Sequence, residues 1–352
     1  MPLIHSALWN ILKHFEFCGD DEMRIAVDAF GGDNAPLEIL KGCSLAVKEY
    51  NVDITLTGDK NIIEDCARQN GISLERMDIV DTPVVLSMHD EPTDVVKKKA
   101  DSSMALAFKE LKEDRADAFV SAGSTGGVVV GGTLIVKRIK GVSRVALASL
   151  LPSPDKSFLF LDMGANAVCR PEMLAQFGVM GSVYMQKVEG RDNPTVGLLN
   201  IGVEESKGGD LQQEAYKLLQ QAPINFVGNI ESREMPKGVC DVLVTDGFTG
   251  NIALKLYEGV LSTTFKLIKQ AMYKNIINKI AALILKKDLY EIKAKGDAKE
   301  VGGALLLGAS KPVVKAHGSS DAIAFKNAIR QAISCCENNI IETISEGLSA
   351  LK

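Results

Sequence analysis

From Met23 onward the chain alternates between two hydrophobic patterns: short apolar or β-branched runs, and longer stretches with apolar residues three and four apart. The first pattern predicts strands at Arg24–Val27, Asp53–Thr57, Met77–Val80, Ala118–Val120, Val145–Ser149, Phe158–Leu161, Thr195–Leu199, Ile224–Val227 and Val242–Val244. The second predicts helices at Pro36–Tyr50, Ile62–Gln69, Ser102–Glu113, Glu172–Val188 and Leu211–Gln220. Strands that are apolar throughout and separated by helices have no face left for water. The expectation is therefore an α/β fold with a mostly parallel sheet covered on both sides.

Two segments break this rhythm. Between Ile252 and Lys295 the pattern is helical only, with two helices meeting near Asn275–Asn278. The first carries Val260, Leu261, Leu267, Ile268, Ala271 and Met272 on one face. The second carries Ile276, Ile277, Ile280, Leu283 and Ile284, broadened by Ala281, Ala282 and Leu285 and followed by Lys286 and Lys287. A projecting helical hairpin over 252–295 is the expectation. Its apolar face suits either peripheral contact with a membrane or packing in a dimer. At the other end, Leu3, Ile4, Ala7, Leu8, Ile11, Leu12 and Phe15 share a helical face without the basic start or cleavage site of a signal peptide. Residues 1–22 read as an atypical extension ahead of a natural start at Met23, or alternatively as a surface-binding helix. Residues 338–352 read as a helix end and tail.

Composition narrows the function classes. The 352 residues are 46% hydrophobic and 24% charged, enough for a sizeable core, and the net charge of −5 gives no basic field for nucleic acid. No apolar run reaches the ~18 residues of a membrane span. The seven cysteines show neither a Cys-x-x-Cys pair nor metal-ligand spacing, so they read as reduced thiols of a cytosolic protein, and no metal or cofactor is expected.

The candidate chemistry lies in the loops that follow the predicted strands, where open α/β sheets bind ligands. They are Asp28-Ala29-Phe30-Gly31-Gly32-Asp33-Asn34, Ser121-Ala122-Gly123-Ser124-Thr125-Gly126-Gly127, Asp162-Met163-Gly164-Ala165-Asn166, Asn200-Ile201-Gly202-Val203-Glu204, Asp246-Gly247-Phe248-Thr249-Gly250-Asn251 and His317-Gly318-Ser319-Ser320-Asp321. Each one alone reads as turn chemistry or a helix cap, with Thr249 and Asp321 as plain N-caps. Together they suggest six loops converging on one sheet edge. Small residues there free backbone N–H groups to bind an anion. Neither a nucleoside triphosphate loop nor a dinucleotide fingerprint is present. The residues by themselves lead to an enzyme handling a small anion.

The segments MRIAVDAFGGDNAP, KKKADSSM, SAGSTGG, LDMGAN, GLLNIGVEESKG, VTDGFTGN and KAHGSSDAIAFKNAIRQA resemble the bacterial phosphate acyltransferases of phospholipid synthesis. The resemblance runs from Met23 to about Glu337, with Phe30 in place of the family's usual methionine and Ser124 in place of its usual asparagine. It implies a three-layer α/β/α sandwich similar to phosphotransacetylases and to isocitrate and isopropylmalate dehydrogenases. The implied activity is acyl transfer from acyl carrier protein to inorganic phosphate in a homodimer, without a cofactor. The implied location is the cytoplasm and the inner face of the cell membrane, where a membrane glycerol-3-phosphate acyltransferase would take the product.

Phosphate is already anionic and a thiol is a fair leaving group, so such a reaction asks for positioning and oxyanion stabilisation more than for a strong base. On that view Lys207 supplies a cation, Asn251 an amide donor to the carbonyl oxygen and Asp246 orients Lys207 or a turn. His317 protonates the departing thiolate. Phosphate and substrate contacts fall to Asp28, Gly31, Gly32, Asp33, Asn34, Gly123, Ser124, Thr125, Gly126, Asp162, Asn166, Asn200, Glu204, Thr249, Gly250, Ser319 and Ser320. Phe248 packs beneath its loop or touches the acyl chain. Ile276, Ile280, Leu283 and Ile284 make the membrane contact. Lys97, Lys98 and Lys99, or Lys137, Arg138, Lys140 and Arg144, could dock the acidic carrier protein. The rival readings are a phosphotransacetylase acting on acyl-coenzyme A, a decarboxylating dehydrogenase (disfavoured by the arginine-poor loops) and a non-catalytic scaffold at the membrane surface.

Overall fold

The computed structural model describes residues 23–285 and 302–351; the extension at 1–22, Lys286 and Lys287, and the rest of the expected hairpin to 295 lie outside the described residues. One sheet of eleven strands runs through the molecule in the order β3-β2-β1-β4-β11-β10-β5-β6-β9-β7-β8. These are β1 (Arg24–Asp28), β2 (Asp53–Gly58), β3 (Met77–Asp81), β4 (Ala118–Ser121), β5 (Ala146–Leu151), β6 (Phe158–Leu161), β7 (Thr195–Asn200), β8 (Asn225–Glu231), β9 (Val242–Val244), β10 (Gly303–Leu307) and β11 (Val313–Ala316). Alternate residues of each strand feed different cores. Ile25 and Val27 of β1 enter one cluster with Ile54, Leu161 and Phe325, while Ala26 enters a second with Phe119, Phe160 and Leu243. The two clusters cover the two faces, as near-continuous apolar strands require.

Helices α1 (Leu37–Tyr50), α2 (Lys60–Asn70), α3 (Ser103–Lys112), α4 (Thr125–Gly131), α5 (Pro171–Lys187), α6 (Asp210–Gln221), α7 (Gly247–Met272), α8 (Ile276–Ile284), α9 (Ala322–Glu337) and α10 (Ile340–Ser349) complete the described chain. The last is a separate helix rather than a tail, with Ile340 and Ile344 buried in the first core.

The sheet is not of one sense. β10 pairs antiparallel with both β11 and β5, and β5 pairs antiparallel with β6. Strands β3, β2, β1, β4 and β11 therefore run one way, and β6, β9, β7 and β8 run the other. The six loops accordingly divide between two sheet edges instead of converging on one. β10 is antiparallel to both β11 and β5 and so leaves those two running the same way; the reversal comes at the antiparallel β5–β6 pair, and the apolar patterns of β5 and β6 are the same in either direction. β10 and β11 were not among the predicted strands.

Candidate active site

At the first edge, the loops after β1, β4 and β11 are locked together. Asp28 is buried, and its carboxylate accepts the hydroxyls of Ser103 at 2.7 Å and Ser121 at 2.8 Å and the Phe30 N–H at 3.3 Å. Burial pushes its carboxyl up, and the Ser103 and Ser121 bonds work against that push. With both oxygens engaged by these donors, Asp28 braces the loops. The Gly123 N–H donates to Ser121 Oγ at 2.9 Å, so it too is engaged. Asn34 donates to the carbonyls of Ser319 and Ser320, and the Asp33 N–H donates to Gly318 O. A Cβ on Gly31 would stand 2.6 Å from Gly123 N; Gly32, at φ +97, leaves no room for one between Gly318 O and the Ala122 side chain. Ser124 caps α4 by accepting the Gly127 N–H at 3.4 Å; Thr125 and Gly126 follow in the first turn, where N–H groups have no carbonyl a turn earlier. His317 Nδ1 lies 2.9 Å from Ser319 Oγ and accepts the Ser319 N–H at 3.2 Å. This is a local turn, not an activated nucleophile. Ser320 is buried, with its N–H on the His317 carbonyl.

At the second edge, Asp162 organises the approach of α7 to the sheet. Its Oδ1 accepts N–H groups from Leu147, Gly164 and Ala165; its Oδ2 accepts the N–H and side-chain amide of Asn166. Asn166 in turn donates to Val145 O and accepts the Gly247 N–H. The stretch Gly247–Asn251 is the opening of a helix and not an extended loop. Glycine disfavours helix, but tertiary contact overrides propensity here: a Cβ on Gly250 would lie 1.8 Å from Asp162 O, and one on Gly247 2.5 Å from Asn166 O. Asp246 is the N-cap, accepting the Thr249 N–H at 2.9 Å. It holds the turn that opens α7, no ion pair among the described residues joins it to Lys207, and Thr249 is a first-turn residue rather than the cap. Asn251 donates to Met163 O at 3.1 Å and is exposed, which leaves its second N–H available. Phe248 is 63% exposed, so it does not pack beneath the turn.

The loop after β7 joins this second group. Asn200 donates to Lys207 O and accepts the Ile201 N–H, and the Lys207 ammonium stands 3.9 Å from the Glu204 carboxylate, both exposed. Beside it opens a cavity of about 770 Å³ lined by Asn200, Gly208 and Thr249, by Ile252, Leu256, Tyr257, Val260 and Leu261 of α7, and by Arg233, Met235 and Pro236. The α7 residues recur at three and four, one stripe of the helix. That volume falls in the ~300–1,000 Å³ range of ligand pockets. Sequence reading assigned part of this stripe to the hairpin; its opening onto the β7 loop depends on which strands adjoin.

Helix α7 links the two edges. Its start rests on the loop after β6, whereas Tyr257, ten residues on, donates to Pro152 O just past the opposite end of β5. Ala253, Leu254 and Tyr257 pack on the second core on the way. The rise of ~15 Å over ten residues matches a short strand's length. Lys207 and His317 thus sit at opposite ends, and no hydrogen bond or ion pair of the described residues joins them. One residue absent from the sequence-based set is Lys315. It is 8% exposed on β11 between the two ends, and its ammonium donates to the carbonyls of Ala122 (3.4 Å) and Ala316.

Beyond Met272, Asn275 caps α8 by accepting the Asn278 N–H, and Asn278 donates back to Ala271 O. No residue of α8 is buried, and Ile276, Ile280, Leu283 and Ile284 are all more than half exposed. No helix among the described residues is long and apolar enough to cross a membrane.

Residues 23–343 match the family model described as fatty acid synthesis protein. The chain is 46% identical over 329 residues to the phosphate acyltransferase of Alkaliphilus oremlandii, covering 94% of this chain and 98% of that one. It is 48% identical over 328 residues to the phosphate acyltransferase of a Geobacillus species, covering 93% and 98%. Among solved structures, a phosphotransacetylase from Streptococcus pyogenes superposes with a TM-score of 0.63 at 16% identity, over 96% of this chain and 99% of that one. The EutD phosphotransacetylase from Staphylococcus aureus gives 0.58 at 17% identity, over 97% and 98%. At such identities these two structures speak to the fold alone.

Proposed function

The chain belongs to the fatty acid synthesis protein family and is a phosphate acyltransferase, and from that premise we propose that it moves a long-chain acyl group from acyl carrier protein to inorganic phosphate. The observation that carries the long-chain reading is the apolar stripe of α7, which walls a cavity of about 770 Å³ that Asn200 and Thr249 also line. Each methylene removed from water there contributes ~0.8 kcal/mol.

In the proposed reaction a phosphate oxygen attacks the thioester carbonyl carbon, and the tetrahedral oxyanion then expels the thiolate. The new C–O bond replaces the C–S bond, and the thiolate leaves to be protonated. Asn251, with an amide N–H to spare in the first turns of α7 between the cavity-lining Thr249 and Ile252, donates to the oxyanion. Lys207, on the β7 loop whose Asn200 and Gly208 line the same cavity, supplies positive charge. Thr249 and Gly250 shape the mouth, and Asp162 and Asn166 fix it through their network. The loops carrying Gly123, Ser124, Thr125, Ser319 and His317 belong to the phosphate side of the cleft, which α7 joins to the acyl side.

The exposed Lys137, Arg138, Lys140 and Arg144 offer a basic surface for an acidic carrier protein, whereas Lys99 is already paired with Asp90 at 2.6 Å. The unburied apolar face of α8 supports a cytoplasmic enzyme that rests peripherally on the membrane, as a homodimer, and passes its product to a membrane glycerol-3-phosphate acyltransferase. Comparing kcat/KM for the same acyl group on acyl carrier protein and on coenzyme A tests the carrier. A preference for the carrier protein supports the reading, and a preference for coenzyme A makes the enzyme a phosphotransacetylase in kind.

A further inference from the structure

Strand β8 carries an extra residue against β7. Val196 pairs with Phe226 but Gly197 pairs with Gly228, so Val227 forms a bulge and the alternation of faces shifts beyond it. Without the extra residue Asn229 would lie opposite Leu199, whose side chain belongs to the second core. With it, Asn229 lies opposite Leu198, on the face of the first core and of α6. The shift thereby buries a polar amide, of which only one end is engaged. Its Nδ2 donates to Glu204 O at 2.8 Å, and its Oδ1 meets no donor among the described residues. A half-satisfied buried amide costs stability, so packing does not account for an asparagine here.

What the amide holds is the turn that presents Lys207. Glu204 O accepts twice, from Asn229 and from the Lys207 N–H at 3.0 Å, and the second bond closes the turn from Glu204 to Lys207. Asn200 of β7 donates to Lys207 O at 3.1 Å, so two neighbouring strands grip the two ends of the turn by their carbonyls. The Lys207 stem lies over Gly202, where a Cβ would stand 2.8 Å from Lys207 Cγ and 3.1 Å from its Cδ. We propose that Asn229 is a positioning residue for acyl transfer: from beneath, it fixes the Glu204–Lys207 turn and so holds Lys207 ready for the oxyanion. The proposal rests on the role given to Lys207 in the phosphate acyltransferase reading, and adds the buried residue through which that role is set. Residues 203–207 are exposed, and a cation on an exposed loop needs such an anchor to keep one position.

The test uses the full-length enzyme and its Asn229→Leu, Gly202→Ala and Lys207→Ala variants, each of the first two also combined with the third. Leucine keeps the branched shape of asparagine and removes the donor. Asn229→Leu should lower kcat about tenfold, the equivalent of one net hydrogen bond, while KM for phosphate and for the thioester changes by less than about twofold. In the Lys207→Ala background the same substitution should cost less than about twofold, because its route to the reaction is gone. Amide hydrogen exchange, followed without substrate, should show the Lys207 N–H exchanging about tenfold faster in Asn229→Leu, with Leu198 and Leu199 as in the wild type. If Asn229→Leu does not fold, Gly202→Ala decides, since its methyl displaces the Lys207 stem without entering either core. It too should lower kcat, and only where Lys207 is present. A wild-type kcat in the deciding variant, an equal loss with and without Lys207, or unchanged exchange at Lys207 in a folded Asn229→Leu overturns the proposal. Faster exchange at Lys207 in a protein that transferred no acyl group to phosphate would uphold the grip and place the failure on the functional reading.

Discussion

Val260 lines the far part of the α7 cavity, and replacing it with aspartate should shorten the acyl chain the enzyme prefers. Nine residues separate it from Asn251, a rise of ~13 Å along the helix. Only the distal methylenes of a long chain reach that depth. If about four of them lie against Val260 and its neighbours, full burial contributes ~3 kcal/mol at ~0.8 kcal/mol each. Val260 is 56% exposed, so roughly half of that, ~1.5 kcal/mol, is at stake. The expected loss is therefore about tenfold in kcat/KM for a long-chain thioester. A short-chain thioester ends before Val260 and should lose almost nothing. The fold should hold, since the position is exposed and aspartate costs an exposed helix only ~0.7 kcal/mol. The assay is acyl-phosphate formation with a series of acyl carrier protein thioesters of increasing chain length. Equal effects on short and long chains, or no effect on either, would refute the placement of the chain along α7.

Three further outcomes follow from the same geometry. Lys207→Ala and Asn251→Ala should each reduce turnover by about ten- to a thousandfold with an unchanged circular dichroism spectrum, and near-normal turnover in both would move the reacting centre elsewhere. Ile280→Glu combined with Leu283→Glu should abolish sedimentation with anionic vesicles while leaving activity on soluble substrate; a monomeric or unfolded double variant would make that face an internal contact instead. Burial alone would raise the Asp241 carboxyl, but the Lys156 ammonium and two bonds from Thr195 outweigh it and hold it below the ordinary range. A depressed carboxylate stabilises above its unfolded value, ~3.9, and that contribution disappears as pH falls through the lower folded value. Asp241→Asn should therefore lower the melting temperature at neutral pH and flatten its acid dependence below about pH 4; parallel melting curves for the two proteins across that range would contradict this.

The predicted strands appear within a residue or two at most positions, because apolar runs such as Phe158–Leu161 and Val242–Val244 specify burial on both faces directly. Direction is not written in such runs. The reversal lies between Ala146–Leu151 and Phe158–Leu161, whose apolar runs read the same whether they pair parallel or antiparallel. Taking that pair as parallel placed six loops on one edge. The reading of Gly247–Asn251 as a loop failed for a different reason: its glycines are there for the close approach to Asp162 and Asn166, a contact invisible to local propensity. Asp28, Asp162 and Ser124 were legible as polar residues of the site but not as residues whose acceptors the protein itself uses. Lys315 escaped because Val313–Ala316 was not among the predicted strands, and only its pairing with Ser121 and Ala304 buries the side chain. The family resemblance was carried by whole motifs, so it survived these local errors.

Incubation of the full-length protein with a long-chain acyl carrier protein thioester and radiolabelled inorganic phosphate, without metal or nucleotide, decides the proposed reaction. Labelled acyl-phosphate should accumulate in step with release of free carrier thiol, and none should form when phosphate is omitted. Thiol release with no label in the acyl product, or a strict requirement for a divalent metal or NAD, would contradict direct transfer to phosphate.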